Sequence, residues 1–201
     1  MSLLLAEFSG LTDEDFDLYR ADRWSNNLFN LGRMRTKERV LALAKAMLAR
    51  LDMTGLTVEG SSEIPSVWNG RQVRDQWAYV LRDAEARRTI QPVMARNLDL
   101  ATKVQDPAEH HRHALLYVRL DDQRLEVGLR LHHLAAVDLA NLLGRAEAEG
   151  AVLDAAVADL PEDVRLDGSR LTAARLRDQA RAVKAGEGEW LVAARVLPRA
   201  E

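Results

Sequence analysis

The five histidines of the chain all lie between residues 110 and 133, where the sequence alternates like a β-hairpin. Imidazole is the most common metal ligand in proteins and titrates near neutral pH. A zinc or iron site made by His113, His132 and a carboxylate such as Glu109 or Asp138 is therefore one candidate. No His-Glu-x-x-His helix or facial triad accompanies them. The pattern consequently favours exposed or hydrogen-bonded histidines at strand ends over a metal site.

A second candidate site combines tryptophan and arginine side chains between residues 68 and 82. Aromatic and arginine side chains together are typical of interfaces and ligand clefts. We therefore expect this stretch to bind a protein partner or a small anionic ligand. The alternative is a structural loop whose tryptophan closes the edge of the core. The predicted ligand-binding residues are Trp68, Asn69, Arg71, Arg74, Trp77 and Arg82.

Motifs for nucleophilic catalysis and for phosphate binding are missing from the sequence. Ser61, Ser62 and Ser66 lie in a turn-rich stretch without a Gly-x-Ser-x-Gly elbow. Neither a P-loop nor a Gly-x-Gly-x-x-Gly motif occurs, and the absence of cysteine excludes thiol nucleophiles and thiolate metal sites. The sequence therefore identifies no catalytic residue and predicts no cofactor.

Length and composition are those of a folded globular protein. The chain has 201 residues, of which 47% are hydrophobic and 29% charged, with a formal net charge of −3. These values predict a single domain over residues 1–201. The apolar run at the N-terminus ends at Glu7, so we expect neither a signal peptide nor a membrane span, and a cytoplasmic location.

Basic residues cluster in two segments, residues 20 to 39 and residues 165 to 184, each with six basic and two acidic side chains. Such a cluster on a helix can follow the phosphates of a nucleic acid. Because the whole chain is slightly acidic, the pattern favours solvated helix faces, and nucleic acid is the less favoured partner.

The elements that must position these residues follow from hydrophobic spacing and turn signals. The spacing predicts helices over residues 12–23, 36–51, 134–150, 151–159 and 169–185, and helical pieces over 84–105 interrupted at Pro92. It predicts strands over 56–59, 164–166 and 190–197. Residues 76–82 are typical of a strand, with a helix over 71–88 as the alternative.

The clearest strand signal is a hairpin over residues 113–120 and 125–132. Its alternation places residues whose numbers add to 245 opposite each other and gathers the apolar side chains on one face. Arg119 then lies opposite Glu126, and His113 lies opposite His132. The apolar run at residues 190–197 indicates a terminal strand covered on both faces. Together these elements predict one α+β domain with an antiparallel sheet and helices mainly on one side.

The order of these elements resembles the YktB-like family of small bacterial proteins of unknown function. The resemblance rests on the opening residues 11–16 (LTDEDF), the hairpin followed at once by a helix, the residues 160–163 turn (LPED) and the Arg/Ala-rich helix before the last strand. It implies an α+β domain with an antiparallel sheet and supplies no catalytic residues.

Two functions follow as hypotheses. The first is a non-catalytic cytoplasmic binding or regulatory module that meets its partner through residues 68 to 82. The second is a hydrolase with a histidine-centred site, with or without a metal ion, at the end of the hairpin that contains His113 and His132.

Overall fold

A computed structural model gives the structure of this chain and describes residues 8–51, 53–61, 72–96 and 109–199. Helices and an antiparallel sheet both contribute, so the predicted α+β class is confirmed. The α-helices of the described residues are α1 (Asp13–Asp17), α2 (Asn30–Arg50), α3 (Ala84–Arg96), α4 (Ala136–Ala148), α5 (Gly150–Ala158) and α6 (Ala173–Lys184). The strands are β1 (Leu56–Gly60), β2 (Gln76–Arg82), β3 (Leu115–Leu120), β4 (Arg124–His132), β5 (Arg165–Leu166), β6 (Ser169–Arg170) and β7 (Trp190–Pro198).

The seven strands form one sheet in the order β1-β2-β3-β4-β7-β5-β6. The strand predicted over residues 76–82 is β2, and the predicted hairpin is formed by β3 and β4. At the turn, the Asp121 N–H donates to the Arg124 carbonyl at 3.1 Å. Arg119 Nη1 lies 3.7 Å from Glu126 Oε2. Both contacts agree with the predicted register, in which residues 119 and 126 face each other.

By internal packing the chain divides into two compact units. The first comprises Met1–Val80, Tyr117–Val127 and Val196–Glu201, and within it α2 packs on β1. The second comprises Leu81–Leu116 and Gly128–Arg195, and within it α4 packs on α5 and α6. The buried core of the second unit contains Leu131, Leu139, Leu143, Leu166, Leu176, Ala180, Val183 and Leu191.

The first two helices differ from the prediction. Helix α1 ends at Asp17 instead of continuing to about residue 23, and α2 begins at Asn30 instead of residue 36. The buried Arg33 guanidinium accounts for both differences. It donates hydrogen bonds to main-chain carbonyls of the intervening residues and so holds them in a loop.

The helix predicted to begin at residue 169 begins at Ala173, because a tight turn precedes it. Asp167 and Gly168 have φ angles of +46° and +79°. An Asp-Gly pair with positive φ at both residues favours a two-residue hairpin loop. Residues 169 and 170 therefore form β6, which pairs with β5 through Leu166 and Ser169.

Strand β7 lies between β4 and β5. The prediction that both of its faces are covered holds only for its first half, where Leu191 and Ala194 are buried. Residues 195 to 198 are exposed. Strand β5 is two residues long and pairs with β7 only at Ala193 and Ala194, so the second half of β7 extends past that neighbour.

Candidate functional site

The residues predicted to bind a ligand are distributed over both units. Arg74 and Trp77 belong to the first unit, and Arg82 belongs to the second. Arg74 is exposed, whereas Trp77 and Arg82 are half-buried. Outside the described residues lie Trp68, Asn69 and Arg71.

Arg74 stacks on a tryptophan that sequence reasoning did not single out. Its guanidinium carbon lies 4.7 Å from the centroid of the Trp24 ring, within the range of a cation–π contact. Arg74 Nη2 also donates to Gln72 Oε1 at 2.8 Å. The Val73 N–H donates to the Trp24 carbonyl at 3.1 Å. The segment that contains Arg74 is thereby attached to the loop between α1 and α2.

Arg33 fixes the conformation of that loop. Its side chain is buried, with 2% of the residue exposed. Nη2 donates to the carbonyls of Leu18 at 3.3 Å and Arg23 at 2.7 Å. Nη1 donates to the Asn26 carbonyl at 3.2 Å and to Asn30 Oδ1 at 3.1 Å. Because one planar guanidinium spans four acceptors, the loop is held in a single arrangement.

Burial also controls the ionisation of the groups beneath the loop. Desolvation lowers the pKa of the Arg33 guanidinium and raises the pKa of the Tyr19 hydroxyl. The Tyr19 hydroxyl and Arg33 Nε have no hydrogen-bond partner among the described residues. Arg33 stays protonated, because a guanidinium does not lose its proton in proteins. The loop is therefore built around a buried cation.

Three apolar side chains project into solvent from this loop and the start of α2. Leu28 is 87% exposed, Leu31 62% and Met34 58%. They are spaced three residues apart, which places them along one side of the chain where it enters the helix. We call these three residues the apolar stripe. Arg23 lies beside it, with its guanidinium carbon 4.7 Å from the Phe29 ring centroid. Large apolar side chains exposed together are typical of interaction surfaces.

A shallow, open depression of about 610 Å³ adjoins the stripe. Asp22 is its acidic lining residue, and Asp22 Oδ1 lies 3.3 Å from Arg20 Nε. Asn26 Oδ1 accepts a hydrogen bond from the Leu28 N–H at 2.9 Å. The depression is therefore lined by small and polar side chains. Its lining residues are Ala21, Asp22, Ser25, Asn26, Asn27 and Leu28.

Trp77 belongs to a network of charged side chains in the first unit. Its Nε1 donates to Asp75 Oδ1 at 2.8 Å, and the Arg119 guanidinium lies 5.3 Å from its ring centroid. Arg119 Nε donates to Asp75 Oδ2 at 2.9 Å, and Asp121 and Glu126 also face it. Burial alone would lower the pKa of Arg119, but these carboxylates raise it above the ordinary value. Arg119 is thus neutralised by the chain's own carboxylates.

Arg82 makes a buried ion pair. Both of its terminal nitrogens donate to the carboxylate of Asp138, in the first turn of α4. The Ala114 N–H donates to the same carboxylate at 2.7 Å. The hydrogen bond to Asp138 raises the pKa of Arg82 above its ordinary value. The pair connects β2 with α4 inside the second unit, so the geometry gives Arg82 and Asp138 a structural role.

The two histidines of the predicted cross-strand pair each contact other side chains. Arg82 Nη1 lies 3.4 Å from Nδ1 of the buried His113. The ring of His132 stacks on that of His111, with centroids 4.7 Å apart, and contacts Trp190 at 4.5 Å. The Leu134 N–H donates to His132 Nδ1 at 3.2 Å.

The hydrogen bond at His132 Nδ1 assigns the ring proton to Nε2. That nitrogen lies 3.5 Å from Glu189 Oε1. Nowhere in the described ranges do three side chains of His, Asp or Glu converge in a way that could hold a metal ion.

The residues that sequence reasoning missed are Trp24, Leu28, Leu31 and Met34. A signal for Leu31 is present in the sequence. Leu31 precedes Val40, a member of the buried stripe of α2, by nine residues. At about 100° per residue this separation places Leu31 about 180° around the helix from the core side. An apolar residue there is a candidate for contact with a partner.

None of the helices in the described ranges has the length and apolar character needed to cross a membrane. Comparison with models of known protein families gives no match, and a search of curated proteins gives none either. The resemblance to the YktB-like family therefore stays a prediction.

Proposed function

We propose that this chain is a non-catalytic cytoplasmic binding module whose partner is a protein with an acidic, apolar surface. The observation that carries the proposal is the apolar stripe. Its three side chains, Leu28, Leu31 and Met34, are each more than half exposed. Burial of a leucine or methionine side chain contributes about 1.5–3 kcal/mol, so exposure of three such side chains on an ordered surface provides a substantial potential for association.

The stripe lies on a rigid support. Arg33 holds the loop through the Leu18, Arg23 and Asn26 carbonyls. Helix α2, which follows the loop, is 21 residues long. Because the loop is already held in one arrangement, a partner that binds here loses little free energy to the ordering of the loop. Preorganisation of this kind increases affinity without adding contacts.

The charges around the stripe favour an acidic partner. Helix α2 contains six basic side chains and one acidic side chain; of the basic ones, Arg33 is buried and Arg39 is paired with Asp15. Arg35 is exposed beside Met34 and has no carboxylate partner among the described residues. Arg74, stacked on Trp24, adds a further exposed guanidinium. Positive charge around an apolar surface steers and selects negatively charged partners.

The contacts of the other candidate residues support a protein partner over a small anion or a hydrolytic site. Arg82 and Arg119 are engaged by carboxylates of the chain itself. His132 faces the Leu134 N–H on one side and Glu189 on the other. Their hydrogen-bonding capacity is largely used within the fold, whereas the three side chains of the stripe are each more than half exposed.

A binding assay with defined peptides tests the proposal. We expect an amphipathic helical peptide with leucine and glutamate faces to bind the intact chain, and a peptide with lysine replacing glutamate to bind at least about tenfold more weakly. The double variant Leu31→Ser/Met34→Ser should weaken binding of the acidic peptide by about tenfold or more. Fluorescence anisotropy of the labelled peptides measures both effects.

The matched control is Met53→Ser. Met53 is 56% exposed, close to the 58% of Met34, but it lies after the end of α2. We expect this variant to bind the acidic peptide as the unmodified chain does. Equal binding of the acidic and basic peptides, or undiminished binding by the stripe variant, would contradict the proposal.

A further inference from the structure

Helix α5 exposes an apolar surface to solvent. Seven of its nine residues are alanine, valine or leucine. Only Leu153 and Val157 pack against the core of the second unit. Val152 is 62% exposed, and Leu160, just after the helix, is 45% exposed. A helix of this composition usually buries more of its surface, so the outer face of α5 is suited to contact another molecule.

The charge around this face is opposite to that around the apolar stripe. Residues 147 to 163 contain six carboxylates and no basic side chain. Asp154 Oδ1 lies 3.6 Å from Arg177 Nη2, and Asp163 Oδ2 lies 2.7 Å from Arg195 Nε. The remaining carboxylates have no basic partner among the described residues and are exposed; they are Glu147, Glu149, Asp159 and Glu162.

We infer that the apolar stripe of one copy binds the outer face of α5 on a second copy. The proposal rests on the proposed function and names its partner as this chain. The stripe is apolar, and the exposed Arg35 follows it on α2. The α5 face is apolar and lies among carboxylates. Apolar burial supplies affinity, and the opposite charges supply orientation.

The contact joins two different surfaces. Each copy carries one stripe and one α5 face, and both surfaces are exposed. An interface that joined stripe to stripe, or α5 face to α5 face, would bring like charges together. Because each contact needs one stripe and one α5 face, the two surfaces can be tested separately.

Two complementary variants test this arrangement. One is Leu31→Ser/Met34→Ser, which removes the stripe and keeps the α5 face. The other is Val152→Ser/Leu160→Ser, which removes the α5 face and keeps the stripe. All four positions are exposed by 45% or more, so both variants are expected to fold, and circular dichroism verifies this.

Sedimentation velocity gives the outcome. The unmodified chain should associate increasingly with concentration, and added salt should weaken the association. Each variant alone should lose about tenfold or more in association. An equimolar mixture should recover a one-to-one complex, because one intact stripe and one intact α5 face remain in it.

Three results would overturn the inference: an unmodified chain that stays monomeric, a variant that still self-associates through its single remaining surface, or a mixture that fails to form the complex. A chain that stays monomeric but binds the acidic peptide through its stripe would refute self-association alone. Failure of the acidic peptide to bind would count against the proposed function.

Discussion

Single polar residues determine the structure between the first two helices. Arg33 is almost fully buried, yet four acceptors surround its terminal nitrogens. A few residues further along, Thr36 and Arg39 donate to Asp15 at 2.6 Å and 2.5 Å. Buried polar groups with several partners specify one arrangement, because each alternative leaves a charge unpaired.

Replacement of Arg33 by methionine should loosen the loop. The change leaves the carbonyls of Leu18, Arg23 and Asn26 without their donor. We expect a loss in the free energy of unfolding of about 1–3 kcal/mol for each carbonyl that stays buried without a donor, and faster amide hydrogen exchange between residues 18 and 29. Arg33→Lys should also destabilise, because an ammonium group cannot span the same acceptors.

The control for this prediction is Arg35→Met, at an exposed position of the same helix. It should change the free energy of unfolding by about 0.5 kcal/mol or less. A small effect of Arg33→Met would show that Arg33 does not organise the loop.

Asp15 should make the stability of the first unit depend on pH. Burial alone would raise its pKa, but hydrogen bonds from Thr36, the Thr12 N–H and Arg39 lower it overall. A lowered folded-state pKa supplies stability above the unfolded value of about 3.9, and that stability is lost as pH falls through the folded value. Asp15→Asn should cost about 1–3 kcal/mol at neutral pH. The difference from the unmodified chain should shrink below about pH 4.

Urea unfolding at a series of pH values measures the Asp15 effect. The control is Asp178→Asn, at an exposed position of α6, which should keep the pH profile of the unmodified chain. A stability difference between Asp15→Asn and the unmodified chain that stays constant down to about pH 2 would contradict the role assigned to Asp15.

At the scale of elements, β4 and β7 pack so closely at Gly128 that a side chain does not fit there. Gly128 on β4 lies against β7, and a Cβ there would be 2.4 Å from the Ala193 carbonyl oxygen and 2.8 Å from Ala194 Cα. These are backbone atoms, which cannot move aside without disturbing the strand. Both strands also position His132 and Trp190, whose rings are in contact.

Gly128→Ala should therefore destabilise the second unit by about 1–3 kcal/mol. The control is Gly144→Ala. Gly144 lies inside α4, and a Cβ there would meet nothing within 4 Å. Alanine in an open helix interior should stabilise by about 1 kcal/mol. Chemical denaturation of the two variants should thus give opposite signs, and a neutral or stabilising Gly128→Ala would show that β4 and β7 can separate at this point.

At the scale of the whole molecule, the net charge of −3 is unevenly distributed along the chain. Residues 20 to 39 contain six basic and two acidic side chains, and residues 147 to 163 contain six carboxylates and no basic side chain. Segregated charge of this kind gives directed encounters at low salt, even though the chain as a whole is nearly neutral. The proposed contact between the stripe and the α5 face depends on this segregation.

Local patterns in the sequence were sufficient for much of the fold. The hairpin of β3 and β4 follows from alternation and turn residues, β2 from its aromatic and β-branched residues, and the terminal strand from its apolar run. The α+β class follows from these strands together with the predicted helices. The alternation did not predict that Leu115 and Tyr117, on the other face of β3, are also buried. Alternation shows which face of a strand is polar. The burial of that face depends on which other parts of the chain pack against it.

The candidate site was less predictable, because contacts between distant residues decide it. The sequence alone determined that the chain lacks cysteine and the phosphate-binding motifs, and that Trp24, Leu28, Leu31 and Arg74 are present. Only the tertiary structure decided that Arg74 stacks on Trp24 and that Arg82 is engaged by Asp138. A guanidinium can bind a partner or a carboxylate of its own chain, and its position in the folded chain decides which of the two it binds.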